Sequence, residues 1–199
     1  MAETLYIRLG SQTQDVIHWL IWSTEDNDII ASGQLPTAEQ LTDLTEKAQH
    51  RQVITFVPSC DVALKALKVP AKSDRAMRLA APYMLEDELA QDVDQLFFAY
   101  ANHEPDEQTG NNCFIAAVDR QLMQQWLLWL ADADIKCKIM IPDVLVMPLV
   151  EDGYSAVMLE QQIIIRQGLW QGLTLDLPAW QVISQQWGNI TTEDEEQTE

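Results

Sequence analysis

The chain has 199 residues, 47% of them apolar, with 31 acidic against 12 basic side chains and a formal charge of -19. The apolar share excludes a disordered acidic chain, and the length suffices for one large or two small domains with a real core. The charge excludes nucleic acid as a natural partner, because phosphates need the opposite sign, disfavours anionic membrane surfaces, and steers basic proteins toward it.

Three predicted strands open the chain, at residues 5–9, 16–22 and 29–35, with Gly10-Ser11 and the polar run 23–28 between them and Pro36 as the stop. This spacing reads as an antiparallel meander. Thr37 with Gln40 forms a predicted capping box for a helix that places Leu41, Leu44, Thr45 and Ala48 on one face. The apolar run 53–57 reads as a short strand buried on both sides of a mixed sheet. Meander, helix and buried strand are the opening of a ribonuclease-H-like half.

A different unit follows. Residues 63–69 alternate apolar with Lys65 and Lys68 and read as a strand. Ser73 caps a helix with Met77, Ala80, Ala81, Met84, Leu85 and Leu89 as its inner face, and Pro82 is expected to kink or split it. Residues 96–101 and 113–118 form a predicted strand pair across a polar loop. The main fold then resumes with a helix over 121–133, carrying Leu122, Trp126, Trp129 and Leu130, and a strand over 138–141. Strands at 156–159, 163–166 and 173–175, then a helix starting at Pro178 with Trp180, Ile183 and Trp187, repeat the opening order. The chain closes on an acidic run, Thr192 to Glu196.

Catalytic and metal signatures are sparse. Cys60, Cys113 and Cys137 are widely spaced without a C-x-x-C, which fits a reducing compartment rather than a disulfide framework or zinc site, and His18, His50 and His103 are scattered. The start Met-Ala-Glu-Thr is no signal sequence, and Pro142, Asp143 and Pro148 interrupt the longest apolar run, so the chain reads as soluble and cytoplasmic. A phosphate-binding turn after the first strand places an acid two residues before glycine; here Arg8 stands before Gly10, and a strand-end arginine is expected to be solvated. Glu151-Asp152-Gly153 has the acid, but Asp-Gly is common turn chemistry. Ser59-Cys60-Asp61 lacks the glycines of a nucleophile elbow and reads as a packed thiol. The tryptophans read mostly as core. No cofactor or metal is expected.

The acids Glu86, Asp87, Glu88, Asp92 and Asp94 follow the second helix directly and lead into a strand with Phe97 and Phe98. Consecutive acids point in different directions, which suits a charged surface better than a catalytic pair. A basic partner would be steered by these carboxylates, with one ring as anchor.

The run from Leu85 to Leu96, preceded by Val57-Pro58-Ser59 with Asp61-Val62 and by Leu67-Lys68-Val69-Pro70, resembles the cytoplasmic part of type II secretion system protein L. The resemblance implies a degenerate actin-like α/β fold, two ribonuclease-H-like lobes with a small α+β insert. On this sequence the first lobe would take residues 1–61 and 120–142, the insert 62–119, the second lobe 143–190, and a tail or linker 191–199. It further implies a membrane helix and periplasmic domain beyond Glu199, and a non-enzymatic adaptor that docks the secretion ATPase, protein E, beside the platform proteins M and F, with room for a homodimer. A nucleotide-binding actin-like ATPase is the alternative, resting on fold alone.

Overall fold

The computed structural model describes residues 3–71, 73–101, 109–151 and 153–193, with side chains up to residue 185. The opening meander is β1 (Glu3–Arg8), β2 (Ile17–Ser23) and β3 (Asp28–Leu35). A 3-10 helix (Ala38–Leu44) and the short α1 (Thr45–Ala48) lead to β4 (Gln52–Val57). Much later in sequence, α3 (Arg120–Asp132) and β8 (Ile139–Pro142) complete one sheet of order β3-β2-β1-β4-β8. β4 and β8 pair in parallel, Ile54 opposite Ile139 and Val57 opposite Pro142, as the ribonuclease-H-like reading requires.

Period-two alternation sets which residues of this sheet are buried. Leu5, Ile7, Ile17, Ile21, Val53 and Val57 share one face with Leu41 and Leu44, closed by Trp126 and Leu130 of α3. β4 is therefore not buried on both sides, as its apolar run suggested. Ile54 and Phe56 stay half-buried on the opposite face, where Phe56 stacks on Tyr6 at 5.6 Å beside an open hollow of about 580 Å³. The capping box also fails. The Thr37 side chain makes no cap bond, because the 3-10 ladder already takes the Gln40 N–H to the Thr37 carbonyl at 3.2 Å.

The intervening unit contains β5 (Val62–Leu67), α2 (Asp74–Met84), 3-10 turns at Glu86–Glu88 and Val93–Gln95, β6 (Leu96–Ala101) and β7 (Cys113–Asp119). Its antiparallel sheet has the order β5-β7-β6. Ala81 and Leu85 of the α2 side pack on Cys113 and Ile115, flanked by Met77, Phe98 and Tyr100. Met84, expected inside, is exposed, because it lies beside the Met77–Ala81–Leu85 row rather than on it. Pro82 does not split α2, which runs on to Met84. Proline cannot donate to the Arg78 carbonyl one turn back; the Tyr100 hydroxyl donates to it instead at 2.9 Å, with the Arg78 guanidinium 4.8 Å over the same ring.

A second meander, β9 (Ser155–Leu159), β10 (Gln162–Gly168) and β11 (Gln171–Asp176), precedes α4 (Leu177–Glu193), which carries Pro178 in its first turn as expected. Trp170 donates to the Ile115 carbonyl at 2.8 Å and meets Phe114 edge-on, so this meander leans on the β5-β7-β6 sheet. Arg166 donates to the Leu145 and Met147 carbonyls at 2.8 and 2.6 Å, which ties β10 to the segment after β8. Gly172 permits the closest approach, since a Cβ there would sit 2.3 Å from Val144 Cγ2.

Tyr100→Phe is expected to lower unfolding free energy by about 1 kcal/mol, the net worth of one hydrogen bond, measured by urea denaturation. Adding Pro82→Ala should recover most of that loss, because alanine supplies the missing N–H. Additive losses would contradict the assignment.

Candidate docking surface and the cleft beside it

Glu86, Asp87 and Glu88 stand in a 3-10 turn rather than on α2 itself, because Leu85 is fully buried and pins the helix end. Asp92 precedes the second turn and Asp94 lies within it, and all five carboxylates are exposed. Glu88 pairs with Lys65 at 2.8 Å across solvent-facing surface, an arrangement worth at most about 1 kcal/mol. Between the two turns, Leu89, Ala90 and Gln91 line a groove of about 380 Å³ with Val62, Val118 and Leu122.

The two phenylalanines part as adjacent strand residues must. Phe98 joins the α2-side core, whereas Phe97 is 41% exposed on the other face, opposite Val118. Phe98 is thus a core residue and only Phe97 is available as an anchor. Leu79 and Tyr83 of α2, 64% and 68% exposed, were not among the expected surface anchors. The readable signal was an apolar pair at i, i+4 spacing outside the inner row.

Beside this surface, the Gly10 turn faces the β9–β10 turn across a cleft of about 220 Å³. Gly10 is obligatory there, since a Cβ would fall 2.2 Å from the Asp15 Cβ, and Trp126 donates to its carbonyl from below at 2.9 Å. Arg8 is not a solvated strand end. Its Nε binds Asp143 Oδ2 at 2.9 Å, and Asp143 is 5% exposed. The other oxygen of Asp143 accepts from the Ser59 amide at 3.0 Å and from the Ser59 hydroxyl, whose oxygen in turn accepts from the Val144 amide at 2.9 Å. The remaining charged lining of the cleft is acidic: Asp15, Glu160 and Asp176. In the other candidate turn, Asp152 lies outside the described residues.

The packed thiol is also corrected: Cys60 is exposed. Partial burial raises its pKa, and the neighbouring Asp61 carboxylate adds to this, so the thiol is protonated and a poor nucleophile at neutral pH. Ser11 donates to Asp61 Oδ2 at 2.5 Å. Burial raises the Asp61 pKa; Asp15 and Asp143 push it the same way, and the Ser11 bond opposes them. Among the described residues no group of three His, Cys, Asp or Glu side chains is placed to hold a metal ion. No described helix is long and apolar enough to cross a membrane.

A carboxyl whose pKa rises on folding stabilises most below its unfolded value, about 3.9, and that contribution is lost as pH rises through the folded pKa. Asp61→Asn, which can still accept from Ser11, is therefore expected to raise stability at neutral pH and to lose that advantage in acid. Paired urea curves at both pH values check the sign; equal effects at both would contradict it.

The family model described as type II secretion system protein L matches residues 5–193. The chain is 32% identical over 176 residues to type II secretion system protein L of Vibrio cholerae, covering 88% of this chain and 42% of the relative. It is 30% identical over 155 residues to the protein of the same name from Dickeya chrysanthemi, covering 78% and 37% respectively. Thus the chain spans about two fifths of the length of these curated relatives. Among solved structures, the cytoplasmic domain of EpsL, an inner membrane component of the type II secretion system of Vibrio cholerae, superposes with a TM-score of 0.78 at 32% identity, over 89% of this chain and 72% of that one. The PilM–PilN type IV pilus biogenesis complex shares the fold, with a TM-score of 0.60 at 16% identity over 89% of this chain and 63% of that one.

Proposed function

The chain belongs to the family of type II secretion system protein L, and from that premise we propose that it is a non-enzymatic adaptor that docks the cytoplasmic secretion ATPase. In this reading it is the cytoplasmic part of a single-pass inner-membrane protein that works beside the platform proteins M and F. The observation that carries docking is the exposed carboxylate series Glu86, Asp87, Glu88, Asp92 and Asp94, strung from the Lys65–Glu88 pair on β5 to the start of β6, where Phe97 is exposed. Rim charges of this kind govern encounter rate and register more than residence time.

Nucleotide binding is the weaker reading. A triphosphate entering the cleft would meet Asp15, Glu160 and Asp176, and Arg8 is committed to Asp143. Millimolar Mg-ATP is expected to leave the melting temperature unchanged, whereas a ligand at about 100 times its dissociation constant adds roughly 2.7 kcal/mol.

Replacing the five carboxylates together by Asn or Gln is expected to slow association with the ATPase by at least about tenfold at low salt, with a smaller effect on dissociation. Wild type should lose much of the same advantage at physiological ionic strength, where the screening length is about 8 Å. Phe97→Ala should instead speed dissociation, and Phe98→Ala should cost stability. Stopped-flow association at two salt concentrations decides the matter; an unchanged rate at low salt sinks the docking surface.

A further inference from the structure

The few cations of this chain are not spread evenly. Lys47, Arg51, Lys136 and Lys138, four of its 12 basic side chains, stand in two segments far apart in the sequence. The parallel pairing of β4 with β8, Ile54 opposite Ile139, brings both segments to the same end of the main sheet. There Arg51, Lys136 and Lys138 line a hollow of about 500 Å³ together with Ala48, Gln52 and Ile139. Asp134 is the acid of that lining, against three bases. In a chain with a formal charge of -19 this local excess runs against the sign of the whole. It lies at the start of β4, whereas the acidic docking surface is reached from the end of that strand.

Local structure holds these cations in place. After α3, Ile135 is buried and Cys137 half-buried, and the two lysines that alternate with them are exposed. Among the described residues neither lysine carries an ion pair. Arg51 is tethered: Glu3 Oε2 lies 2.6 Å from both its Nε and its Nη2, and the Lys47 carbonyl accepts from Nη1 at 2.8 Å. A guanidinium carries five N–H donors in a rigid fork, so donors remain at its outer end for a second carboxylate. Ile139, 39% exposed, adds an apolar wall beside the charges.

We propose that this hollow binds an acidic peptide segment of a protein partner, with one carboxylate on the Arg51 fork, further carboxylates on Lys136 and Lys138, and an apolar residue against Ile139. Arginine offers a carboxylate parallel bonds of fixed geometry, and lysines act as point charges on flexible stems. A flat anionic membrane would meet the repulsion of the whole acidic chain. A single segment entering a concave site is governed instead by charges within the screening length, about 8 Å at physiological ionic strength. An inorganic anion would leave Ile139 without a role. The site goes beyond ATPase docking, since it takes the opposite charge at the other end of β4.

Fluorescence anisotropy of a fluorescein-labelled octapeptide of alternating glutamate and leucine, titrated with this chain at physiological ionic strength, tests it. Saturable binding is expected by millimolar chain concentration, and the same peptide with glutamine for glutamate should not bind. Lys136→Glu combined with Lys138→Glu should weaken binding at least about tenfold. Lys65→Glu combined with Lys68→Glu changes the overall charge equally but elsewhere, and should leave affinity within about twofold. Arg51→Gln should weaken binding as well; the exposed lysines keep the test decisive if loss of the Glu3 contact unfolds that variant. Absence of saturation, equal loss in both double variants, or displacement by inorganic phosphate at the concentration of the peptide would each overturn the proposal. So would lysine-dependent sedimentation with phosphatidylglycerol vesicles in place of peptide binding.

Discussion

The carboxylate of Asp143 is the point on which the rest of the molecule is hung. At 5% exposure it sits where an unpaired charge would cost several kcal/mol, and its pairing draws on three parts of the chain. Arg8 comes from the end of β1, the Ser59 amide and hydroxyl from the turn that leaves β4 for the β5-β7-β6 sheet, and Asp143 itself from the end of β8. The next residue, Val144, returns its amide to Ser59 Oγ and places its side chain where Gly172 of β11 must pass. One buried ion therefore joins the β3-β2-β1-β4-β8 sheet to the turn into the β5-β7-β6 sheet, and the neighbouring Val144 carries the contact on to β11. Removing either Arg8 or Ser59 would leave that charge under-satisfied at their common junction.

The same network borders the cleft at the Gly10 turn, where Arg8 is already neutralised by a carboxylate from the same chain. The surrounding acids make the cleft a poor environment for further negative charge. Charge and hydrogen bonding at the Gly10 turn are thus satisfied within the chain, whereas the exposed carboxylates lie beside the small β5-β7-β6 sheet. This is the sense in which function rests on sites rather than folds.

That small sheet is built to expose polar and charged groups without losing its own core. β7 is buried along almost its whole length between two partner strands, while Leu85 anchors the end of α2 and lets the chain turn outward through its acids. Pro82 leaves the Arg78 carbonyl without its helical donor, and Tyr100 reaches across from β6 to supply one. Helix end, acidic turns and strand are held by local contacts. Changes on the exposed carboxylates are thereby separated energetically from changes in the core.

The sequence by itself determined the strands, the longer helices and their order, because alternation in β1 and β2 and helical spacing in α3 are local patterns that the core must obey. The helix after Thr37 instead became a 3-10 helix, and the end of α2 fell at Met84 rather than beyond Leu89. It also determined the family, through the run from Leu85 to Leu96 and its approach. What it left undecided is whatever depends on residues far apart in the chain. The exposure of Ile54 and Phe56, the phase of α2 that turns Met84 outward, the commitment of Arg8 to a carboxylate 135 positions away and the rescue of the Arg78 carbonyl by Tyr100 all follow from which surfaces meet. Only the tertiary structure decided these, because burial and hydrogen-bond satisfaction are properties of the assembled neighbours and have no period along the chain.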